Sequence, residues 1–351
     1  MDMFRRLFGM SGDEPEDPNV VTQPSASAEV KSAISAEAAQ TAPMDDPDQP
    51  DGDSGEDEPT VPFGNLQTAP MDDAPSVMDG ATRKLPLETV IASRNAHLQY
   101  GQSTDVGMVR TNNQDAMLAF SFSNRSVDDR PDVGLFIVAD GMGGHHDGEK
   151  ASAIVTRTVA RRVIEDILLP IMSGGNDDND RPPLTEALIE AIQAANSSVI
   201  ADVPDGGTTI TAVAVVGDLA YFAHVGDSRA YLITRDGMEQ VTRDHSLVQR
   251  LIELDQLTPE EALDHPQQNV LYRAIGQSDS LEVDALMRRL PPNSSLLLCS
   301  DGLWGLVDED VIEQTVRENP IPQEACDRLV ALANTRGGKD NITAVMLHIP
   351  S

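Results

Sequence analysis

The sequence predicts an α+β fold in which sheets and helices pack as the layers of a sandwich. Short apolar runs that are rich in Val, Ile and Thr and bounded by turn residues predict strands. Two longer segments instead have the spacing of amphipathic helices. Because the strands occur in clusters, with the helix pair between them, the order of elements favours a layered sandwich over a repeating βαβ fold.

The predicted strands share a high content of β-branched and other apolar side chains, with Gly, Asp, Asn or Ser close to their ends. In chain order they occupy residues 117–122, 134–139, 209–216, 220–225, 230–234, 295–299 and 342–349. Since aromatic residues make up only 3% of the chain, the core between the layers must be built mainly from aliphatic side chains.

The helix pair is predicted from two apolar stripes at helical spacing. The first stripe consists of Ala151, Ile154, Val155, Val159, Val163 and Ile167, and the second of Leu184, Leu188, Ala191, Ile192, Ala195 and Val199. A polar loop, 173–181, joins them, which indicates an antiparallel pair. Shorter helices are predicted at 246–254, 258–264, 308–318 and 323–335, where Thr258 and Glu261 form a capping box at the start of the second.

Residues 1–91 differ in composition from the rest of the chain. They are acidic and rich in Pro, Ser and Ala, with little hydrophobic periodicity, so we predict a disordered N-terminal segment followed by one folded domain, 92–351. Up to Val90 there are 19 acidic and 5 basic residues, a net charge of −14, which leaves −19 of the total −33 for the remainder. A domain this acidic repels phosphate esters unless bound cations reverse the local potential.

The N-terminal segment contains an identical heptapeptide twice, Gln-Thr-Ala-Pro-Met-Asp-Asp, at 40–46 and 67–73. One hypothesis is a pair of docking or phosphoacceptor sites, at Thr41 and Thr68, for partners of this segment. The simpler interpretation, duplication within a spacer, is favoured because Pro and charge bias alone are typical of linkers.

Composition also limits where the protein acts and what it binds. No apolar run approaches the roughly 18 to 20 residues that span a bilayer, and the two cysteines, Cys299 and Cys326, suit a reducing compartment. We therefore predict a cytoplasmic protein with no membrane partner. The acidic charge of both parts argues against nucleic acid, since binding to backbone phosphates requires a basic surface.

Acidic residues stand at the ends of four predicted strands. Asp140 and Asp301 each follow an apolar run and precede Gly, while Asp115 and Asp340 each come just before one. Carboxylates gathered at one sheet edge repel one another unless they share cations, and hard oxygen donors suit Mg²⁺ or Mn²⁺. A single Asp-Gly pair most often marks only a turn, so the prediction of a metal centre depends on the whole set.

Six motifs in fixed order resemble those of the metal-dependent protein phosphatases, the type 2C serine/threonine class in its bacterial form. They are Thr104-Asp105-Val-Gly-Met-Val-Arg110-Thr-Asn-Asn-Gln-Asp115, Ala139-Asp140-Gly-Met-Gly-Gly-His145, Gly207-Thr208-Thr209, Gly226-Asp227-Ser228-Arg229, Cys299-Ser300-Asp301-Gly302 and Lys339-Asp340-Asn341. The resemblance covers about residues 95–349. It implies a four-layer α/β/β/α sandwich of two central, mostly antiparallel sheets flanked by helix pairs.

The resemblance also implies a centre of two Mn²⁺ or Mg²⁺ ions. Asp140 would bridge them, and the Gly141 carbonyl would ligate one ion. Asp301 and Asp340 would ligate the other, with Asp115 acting mainly through water. The implied reaction is hydrolysis of phosphoserine and phosphothreonine in proteins by a metal-bridging hydroxide, which would oppose a serine/threonine kinase.

Further residues match functional positions of that family. Arg110 stands where the family binds substrate phosphate, and its planar guanidinium suits phosphate oxygens in a way that Lys does not. Asp227 and Asp301 match the ligands of a third, weaker metal ion in bacterial members. Residues 244–276 resemble the flap that covers the active site and influences which substrates enter.

The sequence departs from the family pattern at two positions. Gln114 replaces a common Glu and cannot carry its negative charge, and Met142 replaces the His that animal members place as a candidate general acid. His145 and His146 lie nearby, but loop packing is favoured for His145 over metal ligation because the neighbouring ligands are hard oxygen donors. His224 lies in an apolar strand and is interpreted as a core histidine.

Three functional hypotheses remain at the level of sequence. An active protein phosphatase is favoured, because Arg110 and all four core aspartates are present. A pseudophosphatase that only binds phosphoproteins, and the same hydrolysis on a small phosphorylated metabolite, are the alternatives. Cys299 has no downstream Arg placed to form a phosphate loop, so a cysteine nucleophile is not expected and a buried strand residue is.

Overall fold

The computed structural model describes residues 97–123, 131–144, 146–173, 182–258, 261–262 and 265–350. The predicted disordered segment 1–91, with its two heptapeptides, and His145 lie outside the described residues. The described residues from His97 onward form a folded domain.

The strands of this part run antiparallel to their neighbours in every pairing described. In chain order they are β1 (Gln99–Asp105), β2 (Ala116–Phe122), β3 (Val133–Ala139), β4 (Gly141–Gly143), β5 (Gly206–Thr208), β6 (Ile210–Val216), β7 (Leu219–Val225), β8 (Arg229–Ile233), β9 (Met238–Gln240), β10 (Asp284–Arg289), β11 (Ser294–Cys299) and β12 (Ile342–Ile349). One five-stranded sheet has the order β1-β12-β11-β8-β9 and the other β10-β7-β6-β3-β2, while β4 and β5 form a small ribbon.

The helices lie between the strands in sequence and outside the sheets in space. They are α1 (Asp147–Val163), α2 (Leu169–Ser173), α3 (Leu184–Asp202), α4 (Leu247–Glu253), α5 (Asp301–Trp304), α6 (Glu309–Glu318) and α7 (Pro322–Thr335). A π-helical stretch, Ile164–Leu168, joins α1 to α2, so the first predicted helix continues beyond its apolar stripe. The predicted capping box is confirmed, because Thr258 Oγ1 accepts from the Glu261 N–H at 3.2 Å while Glu261 Oε2 accepts from the Thr258 N–H at 2.9 Å.

Alternation along β3 shows how the layers are built. Leu135 and Ile137 point into a core shared with α1 and α3, whereas Phe136 and Val138 point into a core shared with the other sheet. Successive side chains of a strand face opposite sides, so a strand buried on both faces must lie between two layers. β3 is buried along its whole length.

The second sheet has the same construction. From β12, Val345 and Leu347 join the core between the sheets, while Ala344 and Met346 pack with α6 and α7 in a third core. The layers are therefore helices, sheet, sheet and helices, and the predicted α+β sandwich is confirmed.

Five strands were missed by the sequence prediction, namely β1, β4, β5, β9 and β10. β1 is rich in Gln, Ser and Thr, and the apolar run of β10 is only three residues long, Ala285-Leu286-Met287, before Arg288-Arg289. Both lie at sheet edges, where one side of the strand needs no apolar cover. β4, β5 and β9 are three-residue strands whose pairing depends on partners distant in sequence.

Candidate metal centre

Strand register brings the predicted aspartates together in pairs. Ala116 pairs with Ala139 across β2 and β3, which places Asp115 beside Asp140. Cys299 pairs with Ala344 across β11 and β12, so the residues after β11 lie beside those before β12. The two sheets then meet through side chains, because Ser300 and Thr343 donate hydrogen bonds to Asp115. One end of the sandwich therefore collects carboxylates from both sheets.

Asp115 is the carboxylate that joins the two sheets. Its Oδ2 accepts from Ser300 Oγ at 2.8 Å and from Thr343 Oγ1 at 2.6 Å, whereas its buried Oδ1 has no hydrogen-bond partner among the described residues. Burial raises the pKa of Asp115 to about 7, and the charges of Asp301 and Asp340 add to this effect although the two hydroxyls oppose it.

Asp140 is held by its backbone. Its N–H donates to Thr209 Oγ1 at 3.0 Å, and its carbonyl accepts from Thr208 Oγ1 and from the Thr209 N–H, both at 2.8 Å. Burial raises the pKa of Asp140 well above the ordinary value, and Asp115 and Asp301 are the next largest causes. These threonines, in the Gly207-Thr208-Thr209 motif, are what aim the Asp140 side chain into the cluster.

Asp301 lies at the first turn of α5 and faces Asp140. Burial raises its pKa to about 6, followed by the charge of Asp340. Its Oδ1 is a second buried carboxylate oxygen without a hydrogen-bond partner in the described part of the chain. Two such oxygens in one acidic cluster are ready to accept a cation, because a buried anionic oxygen without a partner is destabilising.

Asp340 and Arg110 form an ion pair at the edge of this cluster. Arg110 Nη2 donates to Asp340 Oδ2 at 2.6 Å, and half of the Arg110 side chain is exposed. The hydrogen bond to Asp340 is the largest cause of a raised Arg110 pKa. The predicted phosphate-binding cation and one predicted metal ligand therefore lie in direct contact.

Gly141 meets the requirement for close backbone approach. A Cβ at this position would lie 2.2 Å from the Gly148 carbonyl oxygen and 2.6 Å from that of Gln114, and both are backbone atoms that cannot move aside. The Gly141 N–H donates to the Gln114 carbonyl at 3.2 Å. This packing presses the Asp140-Gly141 turn against the start of α1.

Asp227 approaches the same cluster from the turn between β7 and β8. It is almost fully buried, and burial, followed by the charges of Asp301 and Asp244, raises its pKa. Its carbonyl accepts from Trp304 Nε1 at 3.0 Å. The indole ring in turn stacks under the Arg229 guanidinium, whose carbon lies 3.6 Å from the ring centroid.

The carboxylate oxygens of this cluster fit divalent cations, although the described side chains do not form a complete coordination shell. Within the described ranges, no three side chains of the His, Cys, Asp or Glu type are arranged so that they could hold an ion by themselves. Mg²⁺ commonly keeps several waters and takes only one or two carboxylates. The two buried oxygens without partners and the close carboxylates are consistent with such a site.

A comparison of the sequence with protein families matches the model described as protein phosphatase 2C over residues 109–336. The chain belongs to the protein phosphatase 2C family. The predicted resemblance is therefore confirmed, and with it the prediction of a serine/threonine protein phosphatase.

Relatives of this phosphatase domain are bacterial. The serine/threonine phosphatase Stp of Listeria innocua is 35% identical over 244 residues, which are 70% of this chain and 93% of that protein. The crystal structure of the Mycobacterium tuberculosis serine/threonine phosphatase PstP is similar with a TM-score of 0.60 and 34% identity, covering 72% of this chain and 99% of that one. The catalytic domain of PstP has also been solved in complex with two manganese ions, with a TM-score of 0.58 and 32% identity over 72% of this chain and 99% of that one.

Asn341 is a residue of the phosphatase centre to which the sequence analysis gave no role. Its Nδ2 donates to the Val106 and Asn112 carbonyls, both at 2.9 Å, and its Oδ1 accepts from the Gln114 N–H at 2.8 Å. It thus ties the loop that carries Arg110 and Asp115 to the loop that carries Asp340. Its position directly after Asp340 is the sequence signal for this role.

Gln114 and Met142, the two residues that depart from the family pattern, each contact residues near the Asp140-Gly141 turn or the segment before β10. The carbonyl of Gln114 accepts from Ser152 Oγ at 2.6 Å, while its side-chain amide contacts the Gly143 carbonyl at 3.5 Å. Met142 Sδ accepts from Gln277 Nε2 at 3.8 Å.

The predictions that His224 is a core histidine and that Cys299 is a buried strand residue are confirmed. His224 is buried, with Nδ1 3.0 Å from Thr211 Oγ1 and Nε2 3.0 Å from the Gly226 carbonyl. Cys299 is fully buried in β11, and burial raises the pKa of its thiol to about 12, which disfavours a nucleophilic thiolate.

No helix in the residues described has the length and apolar character needed to cross a bilayer.

Proposed function

We propose that this phosphatase domain hydrolyses phosphoserine and phosphothreonine in proteins at a centre of two divalent cations, Mn²⁺ or Mg²⁺. The observation that carries this proposal is the convergence of Asp115, Asp140 and Asp301 into one buried cluster, with Arg110 at its edge. Such a cluster is electrostatically unfavourable without cations, and it lies at the ends of rigid strands that hold its geometry.

The proposed ligands follow the family resemblance, and the structure gathers most of these carboxylates in one cluster. Asp140, the Gly141 carbonyl, Asp301 and Asp340 would hold the two ions, and Asp115 would act mainly through water. The complex of PstP with two manganese ions supports a centre of two ions. Two bound cations supply charge neutralisation and lower the pKa of a shared water, so that this water can attack phosphorus.

A third ion is proposed at Asp227 and Asp301. Asp301 is the second-largest cause of the raised Asp227 pKa, so the charges of the two carboxylates repel each other, and a cation between them would relieve that repulsion. Asp227 also stands on a turn fixed by Trp304. Its position at the border of the main cluster agrees with a weaker, outer site.

Arg110 is proposed to bind the phosphoryl group. Its guanidinium lies at the exposed edge of the cluster, and its five N–H donors exceed what the single hydrogen bond to Asp340 uses. A planar guanidinium binds phosphate oxygens in bidentate fashion and offsets charge on the transferring group. Release of Asp340 to a cation would free further donors of Arg110 for the substrate.

Phosphorylated proteins are the proposed substrates, and a serine/threonine kinase the opposing partner. The names of the relatives support a protein substrate. Hydrolysis of a small phosphorylated metabolite is the competing hypothesis. Assays of phosphoserine and phosphothreonine peptides beside sugar phosphates separate the two, since efficient turnover of the metabolites alone would reject the protein substrate.

Asp140→Asn tests the metal centre. We expect phosphatase activity with Mn²⁺ to fall at least about 100-fold, because an amide cannot bridge two cations. Chelation of the wild type with EDTA should abolish activity reversibly. The fold should persist, since removal of one charge from a crowded acidic cluster relieves repulsion.

Asp236→Asn is the matched control, because Asp236 is an exposed aspartate in the turn after β8. Calorimetric titration with Mn²⁺ provides a second measurement, in which Asp140→Asn should lose ions that Asp236→Asn retains. Full turnover by Asp140→Asn would refute the proposed centre, and a folded wild type that binds Mn²⁺ without turnover would favour the pseudophosphatase.

A further inference from the structure

A second cavity, of about 560 Å³, lies away from the aspartate cluster. Its described lining residues are Arg243, His245, Arg250, Tyr272, Arg273, Glu282 and Asp284. We call it the arginine cavity. Its volume lies within the range of small-ligand sites, and its walls come from the segment before α4, from α4 itself, and from the start of β10.

One extended segment separates the arginine cavity from the catalytic groove. Arg243 and His245 line the arginine cavity. The alternate residues Asp244 and Ser246 line the groove that also contains Asp301 and Asp340. Alternation of side chains along an extended backbone accounts for this division. The two sites are therefore distinct and share a single wall.

The arginine cavity concentrates cationic side chains within an acidic domain, and its charges balance, because Glu282 and Asp284 pair with Arg273 and Glu253 pairs with Arg243 and Arg250. Three guanidiniums line it within a domain of strongly negative net charge. Arg243 and Arg250 share one carboxylate, that of Glu253, so this pair keeps an excess positive charge. Their side chains are 53% and 54% exposed, which leaves most of their N–H donors open to solvent.

Arg273 supplies a third guanidinium that is already oriented. Its Nη1 donates to Asp284 at 2.7 Å and its Nη2 to Glu282 at 2.6 Å, while its side chain is largely buried. Glu282 is 77% exposed, so its ion pair is a weak competitor, since exposed pairs contribute only about 0–1 kcal/mol. The half-exposed Tyr272 beside it adds a hydroxyl donor.

We propose that the arginine cavity binds a phosphate group, at a site separate from the catalytic aspartates. Guanidinium groups match phosphate oxygens in paired hydrogen bonds, and two or three of them around one cavity favour a doubly charged ligand over a carboxylate. The phosphate belongs either to a second phosphorylated residue of the substrate or to free phosphate. Only this choice of source depends on the function proposed above.

The arginine cavity is also connected to Asp227. His245 lies in the wall of this cavity. The ring Nδ1 of His245 accepts from the Gly226 N–H at 3.0 Å, and the backbone N–H of His245 donates to the Gly226 carbonyl at 2.7 Å. Its Nε2 lies 3.2 Å from Asp284 Oδ2, the carboxylate that also binds Arg273. Arg273, Asp284 and His245 thus form a continuous chain of contacts from the arginine cavity to the turn that precedes Asp227.

The test is calorimetric titration of the full chain with inorganic phosphate in the presence of EDTA, where no turnover occurs. We expect saturable binding to the wild type and at least tenfold weaker binding to the double variant Arg243→Gln/Arg250→Gln. Arg161→Gln is the matched control, because it removes an exposed arginine that pairs with Glu165 on α1. Arg110→Gln, which alters the catalytic site, should keep the binding.

Amide chemical shifts of the wild type give a readout that requires no variant. Phosphate should shift signals at 243–250 and 272–284 rather than at Arg110 and Asp340. Absence of saturable binding, or loss of binding in Arg110→Gln with retention in the double variant, overturns the proposal. A singly and a doubly phosphorylated peptide then identify the source. Tighter binding of the doubly phosphorylated peptide assigns the site to the substrate, and equal binding assigns it to free phosphate.

Discussion

At the scale of single residues, burial controls the chemistry of the ionisable groups. Burial raises the pKa of Asp115 to about 7 and that of Asp301 to about 6. The charges of Asp301 and Asp340 raise the pKa of Asp115 further, and the charge of Asp340 raises that of Asp301. Hydroxyl donors from Ser300 and Thr343 partly offset this effect at Asp115. The same residues that are unfavourable in an apolar setting become strong ligands once a cation shares their charge.

Because the pKa of the buried His224 is lowered, we expect the stability of the protein to depend on pH. Burial, followed by the nearby His245, lowers the pKa of His224 to about 3 from an ordinary value of 6.5. As the pH falls, His224 therefore becomes protonated in the unfolded chain before it does in the folded one. Its contribution to the free energy of unfolding is complete above pH 6.5 and is lost as the pH falls toward 3. Between pH 7 and 5 the loss should be about 2 kcal/mol, since one pKa unit corresponds to roughly 1.4 kcal/mol.

Urea unfolding of the wild type and of His224→Gln at several pH values measures this contribution. The variant is less stable at pH 7, because Gln cannot reproduce both hydrogen bonds of the ring, but the difference between the two proteins should shrink as the pH falls. A difference that stays constant from pH 7 to 5 would contradict the burial of a neutral His224.

Arg229 predicts a large cost when one partner of a buried ion pair is removed. Its guanidinium forms hydrogen bonds to both carboxylate oxygens of Asp244, at distances from 2.8 to 3.1 Å, and the Asp244 side chain is only 5% exposed. Arg229→Leu should lower the free energy of unfolding by about 3–5 kcal/mol, because it leaves a buried charge unpaired. Adding Asp244→Asn should recover part of that loss, and strict additivity in urea unfolding would rule out the coupling.

At the scale of elements, the segment 242–246 overlaps the start of residues 244–276, the stretch predicted from the family resemblance to act as a flap. Its odd-numbered side chains, Arg243 and His245, face the arginine cavity, and Asp244 faces the catalytic groove. This segment forms hydrogen bonds with Arg229 and Gly226, which stand at the two ends of the turn that carries Asp227. The placement of Asp227 therefore depends on the contacts of one short segment.

The contact of β1 with α7 predicts the effect of a single added methyl group. A Cβ on Gly101 would lie 2.2 Å from the Gln323 nitrogen and 2.3 Å from the Pro322 carbonyl carbon, both in the backbone of the first turn of α7. Gly101→Ala should therefore destabilise the domain by more than about 2 kcal/mol, since overpacking against backbone forces an element to shift. Gly144→Ala is the control, because its added Cβ would meet no atom within 4 Å among the described residues other than its chain neighbours. Equal melting temperatures of the two variants would show that β1 does not pack as described.

At the scale of the whole molecule, the residues proposed for catalysis all belong to the part of the chain that the structure describes. Every residue proposed to bind metal or phosphate lies between Arg110 and Asp340, and the family match covers 109–336. The division of the chain at residues 91 and 92 remains a prediction from composition. It predicts that the isolated segment 92–351 carries the whole activity.

We expect this segment to hydrolyse para-nitrophenyl phosphate with Mn²⁺ at a rate within about threefold of the full chain, because small substrates need only the metal centre. Both proteins should also melt at higher temperature with Mn²⁺ than with EDTA, since a ligand that binds only the native state stabilises it. Loss of activity in a segment that still folds would place part of the machinery in residues 1–91.

The sequence by itself determined the strands and helices whose apolar periodicity is strong, such as β3, β12, α1 and α3. It also determined that acidic residues stand at strand ends, because strand boundaries are local features of the chain. Only the tertiary structure decided that Asp115 is held by Ser300 and Thr343, that Arg110 pairs with Asp340, and that β1 and β10 complete the sheets. These contacts join residues far apart in sequence or depend on edge pairing, and no local pattern encodes the packing of two sheets that brings them together.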